Sequence, residues 1–254
     1  MAIRSFTGRV RLMISLKNVS KYFGKKCAVR DLNLEVEPGE VFAFLGPNGA
    51  GKTTTIKMIT GLLRPTEGAV SVCGYDVAKQ AVLSKSTMSY VPDQPYLYDK
   101  LTGREFLKFI ADLYRLEGDL AEFKVQQMVD TFELDEFADQ LAESYSHGMK
   151  QRVVMAAAML HDPRVLVIDE PMVGLDPRSS RAVMNIFRER SKAGTTIFMS
   201  THTLSVAEDV ADRVGIIDKG DLVALGTIDQ LRIRSRVEGR LEDVFLAITE
   251  GAGV

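Results

Sequence analysis

Cysteine is scarce in this sequence, and long apolar runs are missing. The two cysteines, Cys27 and Cys73, are too few for a disulfide scaffold and lack the spaced partners that a zinc site needs. We interpret both as buried thiols in a reducing compartment. No apolar stretch approaches the roughly 20 residues that span a bilayer, and the N-terminus carries no signal-peptide core. A role at a membrane would therefore require another protein that holds the chain there.

Net charge is also almost absent, with 32 basic and 34 acidic side chains and a formal charge of -2. The chain offers no broad basic field of the kind that neutralises nucleic-acid phosphates, and we expect no nucleic-acid partner. Its 254 residues, 46% of them hydrophobic, suffice for a sizeable core in one large α/β domain or two small ones. The native start is open between Met1 and Met13.

Hydrophobic spacing predicts that the chain opens with β structure. Apolar residues alternate with polar ones over residues 14–19 and 32–36, as in strands with one buried face. The run Val41–Leu45 is apolar on both sides of a pleat, which is typical of a central strand covered by helices. Residues 53–62 then predict a helix.

The middle of the chain, from about residue 100 to 160, is predicted to be a mainly helical insert. Thr102 and Glu105 fit a capping box near its start. Aromatic residues such as Phe109 and Phe123 recur there at helical spacing, and we interpret them as core packing.

Strand character returns after this insert. Apolar runs at 165–168 and 196–200 flank a helical pattern, and such alternation implies a mostly parallel sheet. A hairpin with its turn at 218–221 follows, and residues 241–248 predict a short helix in the tail.

A glycine-rich stretch follows the central strand directly. Gly46, Gly51, Lys52 and Thr53 match the phosphate-binding loop pattern, in which glycines let backbone N–H groups surround phosphate oxygens. Lys52 is expected to reach the β- and γ-phosphates, and the Thr53 hydroxyl to ligate Mg²⁺. The competing interpretation is an ordinary strand-to-helix turn, which the flanking strand and helix disfavour. The candidate binding segment comprises Gly46, Pro47, Asn48, Gly49, Ala50, Gly51, Lys52, Thr53 and Thr54.

Two acidic residues end the apolar strand at 165–168. Asp169 is placed to bind Mg²⁺, directly or through water, and Glu170 to polarise an attacking water. His202 follows another apolar strand, where its imidazole could contact a γ-phosphate and help hold that water. Strands that end in acidic residues, and single histidines, also occur for purely structural reasons. The catalytic candidates are Glu170, His202 and Lys52.

Two further motifs lie on either side of this acidic pair. One is Tyr145-Ser146-His147-Gly148-Met149-Lys150-Gln151-Arg152, and the other is Gly174-Leu175-Asp176-Pro177. Together with the motifs above, in this order, they resemble the ATP-binding cassette (ABC) ATPases, the nucleotide-binding subunits of ABC transporters. The resemblance covers residues from about 14 to 226.

The resemblance implies an α/β fold. Its phosphate-loop NTPase core would hold a mostly parallel sheet, with an N-terminal antiparallel β subdomain and a helical insert subdomain at about 100–160. The ATPase domain would cover residues 1–226, and a short helical tail would cover 227–254.

The resemblance also implies ATP and Mg²⁺ as cofactors and a head-to-tail dimer, with an identical or a related cassette as partner. Ser146 and Gly148 of one subunit would contact the γ-phosphate bound to the other, and Asp176 would lie at the interface between the two subunits. The partner that ATP drives would be a transmembrane permease encoded separately. The chain would then be cytoplasmic and peripheral, on the cytoplasmic face of the cell membrane.

This sequence departs from the family pattern at three places. His147 and Met149 replace a signature glycine and glutamine. Asp93 aligns with the glutamine that normally contacts Mg²⁺ and water, while Gln94 comes one place late, so either could serve. Phe23 matches the aromatic residue that stacks on adenine.

Some alternatives stay open. Tyr22 could replace Phe23 as the stacking residue, since stacking needs only a π face. The tail around residues 241–251 resembles that of ABC-2 type exporters, but a tail helix packed on its own domain explains it equally well. The rival functions are a soluble ABC-type ATPase that acts on nucleic acid or ribosomes, and a phosphate-loop kinase or GTPase.

Overall fold

A computed structural model describes residues 12–237 and 239–251 of the chain. Met1, one of the two possible starts, lies outside these residues. The strands within them are β1 (Ile14–Phe23), β2 (Lys26–Val36), β3 (Val41–Leu45), β4 (Glu67–Val72), β5 (Tyr75–Asp76), β6 (Met88–Val91), β7 (Val165–Asp169), β8 (Thr196–Thr201), β9 (Arg213–Asp218) and β10 (Asp221–Gly226).

Helices alternate with most of these strands, and three of them follow one another in the middle of the chain. They are α1 (Lys52–Ile59), α2 (Ala81–Lys85), α3 (Gly103–Leu113), α4 (Gly118–Thr131), α5 (His147–Met159), α6 (Pro177–Lys192), α7 (Leu204–Val210), α8 (Ile228–Ser235) and α9 (Leu241–Gly251), with a 3-10 turn at Ala142–Ser144. None of the helices in the described ranges is long and apolar enough to cross a bilayer.

The N-terminal strands form an antiparallel sheet in the order β2-β1-β4-β5. Ile14 pairs with Val36 on one side and with Val72 on the other, and all three side chains are buried. The alternation predicted over residues 32–36 of β2 is therefore confirmed, whereas in β1 the prediction of one buried face is wrong at Ser15, which is buried along with its neighbours. Cys73, next to this sheet, is buried as expected, whereas Cys27 is only half-buried.

The second sheet has the order β10-β9-β3-β8-β7-β6 and is parallel except for β10. A two-residue turn joins β9 to β10, with Lys219 at φ 48° and Gly220 at φ 91°. Two positive φ angles in a row are the geometry of the tight hairpin turn that matches strand twist. Since the parallel strands end at one edge, the loops after β3, β7 and β8 lie together there.

The position of β3 between two buried clusters explains why its sequence is apolar throughout. Val41, Ala43 and Leu45 belong to one buried cluster, shared with the helical insert, while Phe42 and Phe44 belong to another, shared with the antiparallel sheet. Successive side chains of a strand point to opposite faces. Both faces of this strand are thus covered, and the prediction of a central strand is confirmed.

Helices α3, α4 and α5 form the helical insert. The capping box is present: the Glu105 N–H donates to Thr102 Oγ1 at 3.1 Å, and the Thr102 N–H donates to Glu105 Oε2 at 2.8 Å. The interpretation of the aromatic residues as core is wrong for Phe109 and Phe123, which are 39% and 63% exposed. Phe109 contacts only the edge of the exposed Tyr98 ring among the described aromatic residues, whereas Phe106 of the same helix is buried.

The tail helices pack on the rest of the fold. Leu231 of α8 and Leu241 and Val244 of α9 are buried in the same cluster as β3 and the helical insert. Arg232 forms an ion pair with Glu208, with 2.7 Å between Nη2 and Oε1. This favours the interpretation of the tail as a helix that packs on its own domain, and the boundary at residue 226 stays a prediction.

Candidate nucleotide and magnesium site

A cleft of about 490 Å³ opens at the edge where β3 and β7 end. It lies between the phosphate-loop candidate, the acidic end of β7 and the turn after β1. Residues from distant parts of the chain form its walls: Phe23, Lys26, Ala28, Asn48, Gly49, Gly51, Lys52, Thr53, Thr54, Asp93, Asp169 and Glu170.

The loop between β3 and α1 requires glycine at two of the predicted positions. A Cβ on Gly46 would lie 2.2 Å from the carbonyl oxygen of Ile217, and a Cβ on Gly51 would lie 2.6 Å from that of Ala28. Gly51 also has φ 118°, which side-chain-bearing residues rarely adopt. The backbone can therefore approach its neighbours closely and turn into α1, whose first three residues line the cleft. The N-terminus of a helix favours anions.

Lys52 is buried and folds back over this loop. Its Nζ donates to the carbonyl oxygens of Gly46 at 2.7 Å and Pro47 at 3.2 Å. Burial lowers the pKa of the Lys52 ammonium group, and the nearby carboxylates of Glu170 and Asp169 act against this shift. The ammonium group is thus held at the loop, where it can meet phosphate oxygens.

Asp169 is buried at the end of β7. Its Oδ1 accepts a hydrogen bond from the Ser200 hydroxyl, whereas its Oδ2 is buried without a hydrogen-bond partner among the described residues. Burial raises the pKa of this carboxyl, and the hydrogen bond from the Ser200 hydroxyl acts against the shift. Since buried carboxylate oxygens are normally satisfied, an unpartnered oxygen next to Thr53 fits the coordination of a cation.

The residues at this site therefore fit Mg²⁺, but the chain supplies only some of the ligands that the ion needs. In the described part of the chain, no group of three or more His, Cys, Asp or Glu side chains is arranged to hold a metal ion. Mg²⁺ commonly uses one or two carboxylates and completes its octahedron with phosphates and water. Asp169 and the Thr53 hydroxyl are suited to such a shared site.

Asp93 and Gln94 differ in where they lie. Asp93 is part of the cleft wall, whereas Gln94 is not among the wall residues. The Gln94 N–H donates to Asp93 Oδ1 at 2.9 Å, which fixes the carboxylate to its own backbone. The geometry favours Asp93 over Gln94 as the residue that faces a bound cation, although its role stays a prediction.

Glu170 and His202 meet just beyond Asp169. His202 Nδ1 lies 2.9 Å from Glu170 Oε1, and the His202 N–H donates to Oε2 at 3.3 Å. Glu170 has φ 52°, a left-handed conformation that costs energy for a residue with a side chain. Its N–H is held by the carbonyl oxygen of Ser200 at 3.1 Å. The strained residue is therefore fixed on both its main chain and its side chain.

The segment at residues 145–152, which resembles the signature of the ABC family, lies at the N-terminus of α5 and outside the cleft wall. The Met149 N–H donates to Ser146 Oγ at 3.3 Å, and the Ser146 N–H lies 3.5 Å from Met149 Sδ. Met149 thus occupies the position in the cap that a glutamine side chain would take. A Cβ on Gly148 would lie 2.7 Å from the Gly174 carbonyl oxygen, and a Cβ on Gly174 would lie 2.1 Å from the His147 ring.

Asp176 begins α6 as its N-cap. Its Oδ1 accepts from the N–H groups of Arg178 at 2.8 Å and Ser179 at 3.0 Å. Hydrogen bonds from Ser179, its hydroxyl first, lower the pKa of the Asp176 carboxyl. Within one chain Asp176 serves as a helix cap, and its position at a dimer interface stays a prediction.

The cleft thus brings together most of the predicted nucleotide residues. Phe23 lines it, whereas Tyr22 is not among the wall residues, so the geometry favours Phe23 for stacking. Ser146, Gly148 and Asp176 lie elsewhere on the chain's surface. Sequence reasoning missed Lys26 and Ala28 of the wall and the contact of Ser200 with Asp169.

The fold and the cleft define a phosphate-loop NTPase. The model of the ABC transporter family matches residues 29–173 of the chain, and the chain therefore belongs to this family. It binds ATP and is an ATPase of the ABC type.

Curated relatives support this assignment over most of the chain. The linearmycin resistance ATP-binding protein LnrL of Bacillus subtilis is 37% identical over 215 residues, which cover 85% of this chain and 69% of LnrL. The daunorubicin resistance ATP-binding protein DrrA3 of Streptomyces coeruleorubidus is 35% identical over 219 residues, covering 86% of this chain and 69% of DrrA3.

Solved structures show the same fold. An ATP-binding subunit of an ABC transporter has a TM-score of 0.88 and 33% identity, covering 93% of this chain and 99% of that one. The dimeric post-hydrolysis state of the cassette MJ0796, bound to ADP and Pi, has a TM-score of 0.77 and 26% identity, covering 85% of this chain and 98% of that one. The predicted antiparallel sheet, mostly parallel sheet and helical insert are confirmed as the ABC ATPase fold.

Proposed function

We propose that this chain is the ATP-hydrolysing subunit that powers a separate membrane permease of an ABC exporter. The observation that carries the proposal is that the predicted nucleotide-binding residues lie in two separate places on one chain. The cleft holds the phosphate loop and the acidic residues, while Ser146 and Gly148 lie outside its wall. One chain therefore presents two complementary halves, and a second cassette can complete each cleft.

The second cassette, an identical or a related one, packs head to tail on the first. Ser146 donates its hydroxyl, and Gly148 its backbone N–H, to the γ-phosphate held by the partner's cleft, at the positive end of α5. The related cassette MJ0796 is described as dimeric, which supports this arrangement. ATP stabilises the closed dimer over the open one, so binding free energy drives the motion.

Within each cleft the residues divide the work of hydrolysis. Lys52 binds the β- and γ-phosphates, and Phe23 stacks on adenine. Glu170 accepts a proton from the attacking water, and His202 orients the Glu170 carboxylate and contacts the γ-phosphate.

Thr53, Asp169 and Asp93 are suited to hold Mg²⁺ at this site. When bound, Mg²⁺ neutralises charge that develops on the phosphate oxygens. The proposed metal ligands thus belong to three segments that meet at the same edge of the parallel sheet.

An exposed aromatic patch, defined here as Tyr96, Tyr98 and Phe109, is the proposed contact with the permease. Tyr96 is 72% and Tyr98 47% exposed, although each packs edge-on against an aromatic neighbour in the patch, with ring centroids 5.8 Å apart. The patch joins the loop that begins at Asp93 to helix α3. Movement of the cleft can therefore reach a permease through this surface.

The proposal has three further parts. The chain lies on the cytoplasmic face of the cell membrane, held there by the permease. The ATPase domain covers residues 1–226, with a helical tail at 227–254. Export, rather than import, is supported by the similarity to LnrL and DrrA3, which are antibiotic-resistance ATP-binding proteins.

Co-purification tests the proposal. The tagged chain is expressed in its own host, gently solubilised from membranes, and its partners are identified by mass spectrometry. We expect a multi-spanning membrane protein in stoichiometric amount, lost with the variant Tyr98→Ser. Phe123→Ser, which changes an exposed aromatic residue outside the patch, should retain it. Recovery of the chain with ribosomes or DNA, or without any partner, would instead favour a soluble ABC-type ATPase.

A further inference from the structure

Ser200 lies beside both acidic residues that end β7. It pairs with Asp169 in the register of the parallel sheet, and it is fully buried. Its hydroxyl donates to Asp169 Oδ1, while its carbonyl oxygen accepts the Glu170 N–H at 3.1 Å. One residue of the neighbouring strand therefore contacts the two acidic residues through different atoms.

The hydrogen bond from Ser200 distinguishes the two oxygens of Asp169. Oδ1 is satisfied, whereas Oδ2 is buried without a hydrogen-bond partner in the part of the chain that the structure describes. A buried carboxylate oxygen left without a partner is costly, and Asp169 is part of the cleft wall. The carboxylate is therefore held in one rotation, with a single oxygen available to a ligand in the cleft.

We propose that Ser200 is a positioning residue that turns the Asp169 carboxylate so that Oδ2 faces a divalent cation. The inference rests on the proposed role of Asp169 as a Mg²⁺ ligand. Because the hydroxyl and the carbonyl act separately, Ser200→Ala removes the contact with Asp169 and keeps the contact with Glu170. The variant therefore changes the position of the cation ligand without removing the support of the proposed base.

Mn²⁺ serves as the probe, because its free form is measured directly by electron paramagnetic resonance. The full chain is titrated with Mn²⁺ in the presence of a non-hydrolysable ATP analogue. For Ser200→Ala we expect about tenfold weaker Mn²⁺ affinity, the size of effect typical for one hydrogen bond to a charged group. Affinity for the analogue in EDTA should stay unchanged, because the contact of Ser200 with Asp169 acts on the cation and not on the nucleotide. Ser200→Thr, which keeps a hydroxyl, should restore Mn²⁺ affinity.

Thr196→Val is the matched control. It removes a buried hydroxyl from the other end of β8, where Thr196 bonds to the main chain of Glu37 and Gly39. We expect wild-type Mn²⁺ affinity for this variant. If Ser200→Ala does not fold, Ser200→Cys takes its place. Cysteine has a similar size and donates only weakly, so we expect its Mn²⁺ affinity to be below that of the unchanged chain.

The variant Asp169→Asn separates failure of this inference from failure of the proposed function. If Asp169→Asn weakens Mn²⁺ binding and Ser200→Ala does not, the positioning role of Ser200 is overturned while the metal site stands. If Asp169→Asn itself leaves Mn²⁺ affinity unchanged, the assignment of Asp169 as a cation ligand fails, and the role of Ser200 fails with it.

Discussion

The Nδ1 atom of His202 lies 2.9 Å from Oε1 of Glu170, at the edge of the parallel sheet. The Glu170 side chain is 15% exposed and the His202 side chain 59%, so the imidazole covers the carboxylate from the solvent side. The main-chain N–H of His202 contacts the other carboxylate oxygen at 3.3 Å. The proposed base is therefore oriented by one residue through two atoms, of which only one belongs to a side chain.

This geometry predicts the behaviour of His202→Ala. The variant keeps the main-chain contact to Glu170 Oε2 and loses the imidazole contact to Oε1. The carboxylate therefore stays near its position, but its orientation is no longer fixed. We expect turnover to fall about tenfold to a hundredfold, as for the loss of a hydrogen bond to a charged group. ATP affinity, measured by equilibrium binding, should change less than threefold. Unchanged steady-state turnover would remove His202 from the proposed mechanism.

The close approach at Gly51 predicts a loss of stability on substitution by alanine. Gly51 has φ 118° and Gly194 has φ 102°, so alanine is strained at both positions. A Cβ on Gly194 would meet nothing within 4 Å, whereas one on Gly51 would lie 2.6 Å from the Ala28 carbonyl oxygen. Gly194→Ala should therefore lose about 1–2 kcal/mol of unfolding free energy, and Gly51→Ala should lose clearly more.

Urea unfolding of both variants measures the difference. The comparison isolates the crowding at the phosphate loop, because the backbone strain is similar at the two glycines. Equal losses in Gly51→Ala and Gly194→Ala would show that the loop relaxes away from Ala28 at little cost.

Local signals account for what the sequence predicts well. The capping box of Thr102 and Glu105 depends on residues three apart, and the glycines of the phosphate loop depend on backbone freedom at fixed positions. The predicted helix at 53–62 begins correctly but extends too far. Helix α1 stops at Ile59 because the chain turns at Gly61, where φ is 69°.

The features that sequence reasoning missed depend on the packing of distant segments. The hydrophobicity of Phe109 is the same whether its face of α3 is covered or exposed, so helical spacing alone could not place it. The choice of Asp93 over Gln94 depends on which residue the loop turns toward the cleft. The role of Ser200 depends on the register between β7 and β8, although its position at the end of a predicted strand, near His202, was a usable signal.

His161 predicts a dependence of stability on pH. Its ring stacks on Tyr114 with centroids 3.5 Å apart, and its Nε2 lies 3.2 Å from Ser89 Oγ. Burial lowers the pKa of His161 to about 4, with Asp162 acting against the shift. In the unfolded chain a histidine has a pKa of about 6.5. The unfolded state therefore binds the proton first, and stability falls as the pH drops from about 6.5 towards 4.

The variant His161→Phe keeps a ring against Tyr114 and removes the titrating group. We expect its unfolding free energy, from urea denaturation, to decrease less between pH 7.5 and pH 5.0 than that of the unchanged chain. The difference between the two chains is the informative quantity, because carboxylates titrate in both. An identical decrease would mean that His161 does not titrate differently in the folded and unfolded states.

The variant Glu170→Gln tests the central claim, that ATP closes two cassettes and hydrolysis by Glu170 reopens them. Glutamine keeps the size of the side chain and cannot accept the proton of the attacking water. The measurement is the molecular mass in solution with ATP, together with steady-state turnover, and Glu67→Gln, an exposed carboxylate outside the cleft wall, is the control. The account predicts a stable ATP-bound dimer that turns over very slowly, while the control behaves like the unchanged chain. A Glu170→Gln chain that stays monomeric with ATP and turns over at the normal rate would contradict the account.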